Sequence, residues 1–124
     1  MFKDPAVADF IRGEIVHRNN PDIATIYCFT VMPDHLHLLI SLGPGFGGTL
    51  QSWVSAFKSF TAKSVKREFG IWKLWQANFY EHIVRHDESL IEITDYIINN
   101  PVRKNLAKKW DEYPYSGLLA DLQL

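Results

Sequence analysis

Cysteine is almost absent from this chain: Cys28 is the single one in 124 residues, which excludes an intrachain disulfide and any zinc site built on several thiolates. Its place in an apolar run suits simple packing. No apolar run reaches the roughly 18 residues of a membrane span, and the N-terminus offers neither a charged n-region nor an apolar h-region. No membrane partner is expected, and the cytoplasm is the default location. An excess of one charge is also lacking, with 13 Lys and Arg against 14 Asp and Glu, so the surface is not uniformly basic. What remains is a chain with 47% hydrophobic and 14% aromatic residues, long enough for one buried core, so residues 1–124 are read as a single domain.

The balanced total hides a segregation. Residues 49–109 hold ten of the 13 Lys and Arg against six acids. Lys58, Lys63, Lys66, Arg67 and Lys73 form one basic group, and Arg103, Lys104, Lys108 and Lys109 another. Such groups either solvate a helix or bind phosphates.

The element pattern is mixed. Asp4-Pro5 is a helix start, and Val7, Phe10, Ile11 and Ile15 continue at helical spacing over residues 5–18. Residues 25–32 and 35–42, rich in β-branched and apolar residues and joined by Pro33-Asp34, make a β-hairpin. The glycine-rich stretch 43–48 reads as a mobile connector, too irregular for a phosphate-binding loop. Thr49 caps a long helix ending near Gly70, with Leu50, Trp53, Val54, Phe57, Phe60, Thr61, Val65 and Phe69 on its apolar face and Lys63, Lys66 and Arg67 on its wet face. Residues 75–85 alternate as a third strand, with Trp75, Ala77, Phe79 and Ile83 on one side. A last helix, capped by Asp87 or Ser89, runs to Asn100 and is stopped by Pro101.

The chemistry lies in two pairs. Strand alternation puts His35 and His37 on one face while Leu36, Leu38 and Ile40 point into the core. Two such imidazoles are either hydrogen-bonded core histidines or half of a metal site. Tyr96 and Asn100 stand four apart on the last helix, so they share a face. A histidine-triad hydrolase would need a third histidine two residues beyond His37, where Leu39 stands.

Taken together, Met32-Pro33-Asp34-His35-Leu36-His37, Phe57-Lys58-Ser59, Trp75-Gln76, the run from Phe79 to Arg85 and the run from Tyr96 to Arg103 resemble the single-tyrosine HUH transposases of the IS200/IS605-like group. The REP-associated tyrosine transposase branch is the nearest likeness. The resemblance covers nearly the whole chain, as far as the segment from Trp110 to Ser116. It implies an α+β fold, a ferredoxin-like or RRM-like antiparallel sheet with helices packed on one face. Because Met1 to Pro5 corresponds to the entry of the first helix, the family's first strand is expected to be missing, and its central place beside the histidine strand to be open. An earlier chain start, a rearrangement or a strand lent by a dimer partner would each fill it.

The resemblance also implies a metal-dependent transposase and nuclease that cleaves and rejoins single-stranded DNA near hairpins through a 5′-phosphotyrosine. Tyr96 is then the nucleophile, and His35, His37 and Asn100 hold Mg²⁺ or Mn²⁺. A homodimer is expected, and the alternative is a relative that binds hairpin DNA without cutting it. Lys58, Lys63, Lys66, Arg67, Arg103 and Lys104 are candidate contacts to the DNA backbone. Tyr80, on a strand and without an Asn or Gln at helical spacing, reads as a packing or hydrogen-bonding residue and a decoy nucleophile; His82 could approach the metal from the neighbouring strand, but the family pattern needs only two histidines. Trp72, Trp75 and Phe46 are either base-stacking surfaces or core and hairpin residues.

Overall fold

A computed structural model describes residues 4–76, 78–83 and 89–119, with the side chains of residue 76 and of 78–83 left out of the description. Expectations that rest on Ala77, Arg85 and Asp87 lie outside the described residues.

Helix α1 (Pro5–His17) starts where the sequence places it. Asp4 accepts a hydrogen bond from the Ala6 N–H at 2.9 Å, and Pro5 occupies a first-turn position where no intrahelical donor is needed. Its buried stripe is Val7, Ala8, Ile11 and Ile15. Strands β1 (Ala24–Met32) and β2 (His35–Leu42) form the expected hairpin across Pro33-Asp34. The register runs from Ala24 opposite Leu42 to Met32 opposite His35, with one extra residue accommodated between Ile26 and Cys28. That bulge turns both Tyr27 and Cys28 toward the same side of the sheet, while Ile26 and Phe29 face the other.

Helix α2 (Leu50–Phe69) opens on a reciprocal cap. Thr49 Oγ1 accepts from the Ser52 N–H at 3.1 Å, and Ser52 Oγ accepts from the Thr49 N–H at 2.9 Å. It closes on Gly70 at φ 71°, the left-handed conformation that glycine takes without a Cβ clash. The core stripe is Trp53, Val54, Phe57, Thr61, Ser64 and Val65. Phe60 and Phe69 depart from the expected apolar face. Phe60 is 46% exposed beneath the Arg18 guanidinium, and Phe69 packs edge-on against Phe10 at 6.2 Å. The helix buries only the stripe that meets the sheet, and both phenylalanines fall at its margins.

The third strand starts later than the alternation suggests. Residues Leu74–Gln76 make a 3₁₀ turn, because Trp75 is pulled into the core, its Nε1 donating to Thr61 Oγ1 at 3.0 Å and its ring packing on Phe57. Strand β3 (Asn78–Ile83) follows, then α3 (Leu90–Ile98), α4 (Asn100–Arg103), a 3₁₀ turn at Trp110–Glu112 and β4 (Ser116–Leu118).

The α+β class is as expected, and the sheet order is β3-β2-β1-β4. Two features depart from the expected layout. First, β3 pairs with β2 in parallel, from His35 opposite Asn78 to Ile40 opposite Ile83. The position beside the histidine strand is therefore filled, with the 20-residue α2 as the crossover that a parallel pair requires. Second, helices occupy both faces. Helices α1 and α2 pack with Ile26, Phe29, Leu36, Leu38 and Ile40, whereas α3 contributes Ile97 and Ile98 to a smaller cluster with Cys28 and Leu39.

Strand β4 was not foreseen. It adds to the free edge of β1 with Gly117 opposite Phe29, where any Cβ would meet the phenyl ring at 2.5 Å. The Tyr113 hydroxyl donates to the Val31 main-chain oxygen at 2.7 Å and ties down the approach to it. The glycine-rich connector is docked rather than loose. Gly43 and Gly45 N–H groups donate to Ile23 and Asp22 main-chain oxygens, and a Cβ at Gly43 would strike the 21–22 backbone at 2.3 Å.

Candidate functional site

His35 and His37 lie on the face of β2 that carries Leu39, and so look toward α3 rather than α2. Their rings meet edge to face with centroids 4.8 Å apart. His35 Nδ1 is 2.7 Å from Asp34 Oδ1. That hydrogen bond, the largest effect on Asp34, holds its carboxyl below the usual carboxylate range. The contact orients the His35 ring on the strand. Burial, reinforced by His35 and by Arg103, lowers the His37 pKa to about 4. His37 is therefore a neutral imidazole at physiological pH, the form that coordinates metals.

The last helix is broken. Ser89 caps α3 by accepting from the Glu92 N–H at 3.3 Å, as expected. The helix ends at Ile98, Asn99 makes a turn, and Pro101 sits in the first turn of α4 instead of terminating a continuous helix. Proline fits there because first-turn residues need no intrahelical donor. The missing Pro101 N–H has a consequence one turn back: the Thr30 hydroxyl donates to the Ile97 oxygen at 3.0 Å and anchors the end of α3 on β1.

Tyr96 and Asn100 therefore stand on separate helical segments. Tyr96 is 57% exposed, whereas Asn100 is 5% exposed. They are nevertheless neighbours of the same groups. The Tyr96 ring centroid lies 6.4 Å from that of His37. Arg103 stacks its guanidinium 4.0 Å from the Tyr96 centroid, and donates to Asn100 Oδ1 at 3.0 Å and to the Tyr96 main-chain oxygen. Among the described residues, buried Asn100 Nδ2 has no hydrogen-bond partner.

Among the described residues no group of three His, Cys, Asp or Glu gathers at metal-binding distance. A cation here would rely on the two imidazoles and on an amide or water oxygen. The donor chemistry fits: imidazole nitrogens and an amide oxygen suit such an ion, and Asn100 Oδ1 has a second lone pair beyond the one Arg103 uses.

The structure separates the two basic groups. Arg103 and Lys104 flank the tyrosine helix, while Lys58, Lys63, Lys66 and Arg67 lie on α2 in the layer across the sheet. Lys66 stands 3.7 Å over the ring of Trp72, which is 74% exposed, and Lys58 stands 5.8 Å over Trp75. Of the candidate stacking residues, Trp75 and Phe46 are packed against the core and Trp72 is open to solvent. The β3 backbone sets Tyr80 opposite His37 and His82 opposite Leu39.

The profile of the family described as "Transposase IS200 like" matches residues 4–100. The chain belongs to the IS200-like transposase family. It is 29% identical to a REP-associated tyrosine transposase of Escherichia coli over 78% of this chain and 56% of that protein. A putative REP-associated tyrosine transposase of Haemophilus influenzae is 32% identical over 75% of this chain and 58% of its own length. The chain thus spans a little over half the length of these relatives. No solved structure matches it. The family resemblance carried by the two motifs is borne out. The matched span contains His35, His37, Tyr96 and Asn100 and ends before Arg103, the residue that links the last two. Its i+7 and i+3 offsets from Tyr96 and Asn100 are visible in the sequence; the helix break that lets it reach both is not.

Proposed function

We propose that this domain is a single-strand DNA transposase and endonuclease of the HUH type, which cleaves and rejoins DNA near hairpins through a 5′-phosphotyrosine. The observation that carries the reading is the Tyr96 ring beside the His37 imidazole, in an IS200-like chain whose His35 and His37 share that face. Tyr96 is exposed enough to meet a DNA strand.

In the reaction the Tyr96 oxygen attacks the scissile phosphorus, the new tyrosyl O–P bond forms, and the P–O3′ bond breaks. The phenolic proton is given up and the departing 3′ oxygen ends as a hydroxyl. Because phenol has a reference pKa of about 10, well below that of an alcohol, the tyrosyl oxygen leaves readily when a 3′-hydroxyl later attacks. The ester bond is conserved, so no nucleotide cofactor is consumed. His35, His37 and Asn100 would hold Mg²⁺ or Mn²⁺, which when bound polarises the phosphate oxygens. His37 is suited to this by its neutral state and His35 by the Asp34 contact that orients its ring.

Lys104 stands beside the site, whereas Lys58, Lys63, Lys66 and Arg67 on the far layer would grip DNA that wraps away from the scissile bond, with affinity that falls as salt rises. A homodimer is the expected assembly, and the chemistry on DNA needs no membrane. A second reading, a relative that binds hairpins without cutting, draws support from Asn100, whose amide oxygen is engaged by Arg103.

Incubation with single-stranded hairpin DNA and Mn²⁺ tests both. The expected result is an SDS-resistant protein–DNA adduct that disappears in Tyr96→Phe. An adduct that persists in Tyr96→Phe overturns the nucleophile, and retained hairpin binding with no adduct from the unaltered protein selects the non-cutting reading.

A further inference from the structure

We propose that Arg103 is a positioning residue, which fixes the Tyr96 ring and the Asn100 amide in one arrangement before a DNA strand arrives. The inference rests on Tyr96 being the nucleophile and goes beyond a simple backbone contact for Arg103.

Among the described residues, little else fixes Tyr96. At 57% exposure its ring is not locked by packing, and an unpacked aromatic side chain samples more than one rotamer. Arg103 holds both ends of the residue: its guanidinium lies over the ring face at 4.0 Å, and its Nη2 donates to the Tyr96 main-chain oxygen. His37 stands at 6.4 Å between centroids, ring planes at 74°. The ring thus has a guanidinium and an imidazole as neighbours.

The same Nη2 donates to Asn100 Oδ1 at 3.0 Å. The amide is a two-ended group, and this bond decides which end points where, leaving Nδ2 buried without a partner among the described residues. An inward-facing amide at Asn100 and an outward-facing phenol at Tyr96 are thereby tied to one side chain. The helix break makes this possible. In a continuous helix residues 96 and 103 would lie about 10 Å apart along the axis, and the turn at Asn99 brings Arg103 back over Tyr96.

Only a planar cation with several fixed N–H groups can stack on the ring and donate to two oxygens at once. A lysine ammonium supplies the charge but not the plane. This separates positioning from charge. A residue that merely neutralised a phosphate would be replaceable by lysine, and its loss would weaken binding and lower the salt dependence of affinity.

The experiment compares Arg103→Lys and Arg103→Ala with the unaltered protein, using a hairpin-bearing DNA oligonucleotide and Mn²⁺. Positioning predicts that the single-turnover rate of adduct formation at saturating DNA falls on the order of 10- to 100-fold in both variants. The DNA dissociation constant and its salt slope stay near their original values, and added guanidinium ion restores part of the rate in Arg103→Ala. A full rate in Arg103→Lys, or a loss confined to affinity and salt slope, overturns the proposal.

A second readout is independent of cleavage, so it stands even if the protein proves not to cut. With ¹³C-labelled tyrosine, the Tyr96 ring signal is identified by its absence in Tyr96→Phe. In Arg103→Lys without DNA it should shift or split, while the signals of Tyr27, Tyr113 and Tyr115 stay in place. An unmoved Tyr96 signal overturns the proposal.

Discussion

The two faces of the sheet are built on different terms. On the α1/α2 face, Ile11, Ile15, Ile26, Leu36, Leu38, Ile40 and Phe57 are fully buried, and Trp53 stacks on Phe57 with centroids 5.6 Å apart. On the α3 face the described buried apolar residues are Cys28, Leu39, Ile97 and Ile98, with Tyr27, Leu90 and Ile93 packed against them, interleaved with His35, His37, Thr30, Thr94 and Asn100. The first face collects the hydrophobic stabilisation, which scales with apolar area removed from water. The second holds Thr30 and Asn100 by individual hydrogen bonds, and among the described residues leaves the Asn100 amide nitrogen buried without a partner. Folding and candidate chemistry are thus divided between the two sides of a single layer of strands.

The division is sharpest if a cut on the dry side costs stability and leaves the site chemistry alone. Phe57→Ala removes a ring with no solvent exposure from the centre of the α2 packing. It should destabilise the domain by about 3–5 kcal/mol, read as a fall in the urea midpoint. A loss below about 1 kcal/mol would mean that the α1/α2 face is not the main source of stability.

A smaller loss is expected where the two sides are tied. The Thr30 hydroxyl donates to the Ile97 oxygen and shares a hydrogen bond with Ser116 Oγ at 3.0 Å. Thr30→Val keeps the shape and removes both, which should cost about 1–3 kcal/mol. It should also slow adduct formation more than Ile26→Val, a comparable trim on the dry face, because α3 loses an anchor near Tyr96. Equal rates for the two variants would separate the anchor from the site.

A pH dependence specific to the α3 face is also expected. His37 has a folded pKa near 4, below its ordinary value of 6.5. Protonation therefore favours the unfolded chain. In metal-free buffer the His37 contribution is constant above pH 6.5, and stability falls as pH drops from 6.5 toward 4. Urea midpoints across that window should decline more steeply for the unaltered protein than for His37→Gln. Parallel profiles would place the titration elsewhere.

Much of the fold was legible because its signals are local. Asp4-Pro5, Thr49 with Ser52, Gly70 and Ser89 are caps that depend on a few adjacent residues, and each bounds its helix where the sequence suggests. The hairpin across Pro33-Asp34 and the alternation of His35 and His37 with Leu36 and Leu38 are likewise fixed by short spacing. Strand β4 is only three residues long, and its pairing with β1 depends on Gly117 fitting under Phe29, a partner 88 positions away. Trp75 left the strand pattern for a reason equally remote, the Thr61 hydroxyl on α2.

The site divides the same way. Sequence alone determined which chemical groups are present and that the two histidines share a strand face, because side-chain alternation is a property of the extended backbone. It also determined family membership, carried by the order of the two motifs. The tertiary structure decided that β3 lies beside the histidine strand in parallel, that α3 and the Lys-rich α2 occupy opposite layers, and that α3 breaks at Asn99. Proline can end a helix or begin one, and the local sequence does not choose between these. The choice follows from packing, because Thr30 on β1 supplies the donor that Pro101 lacks, and the resulting turn brings Arg103 over Tyr96.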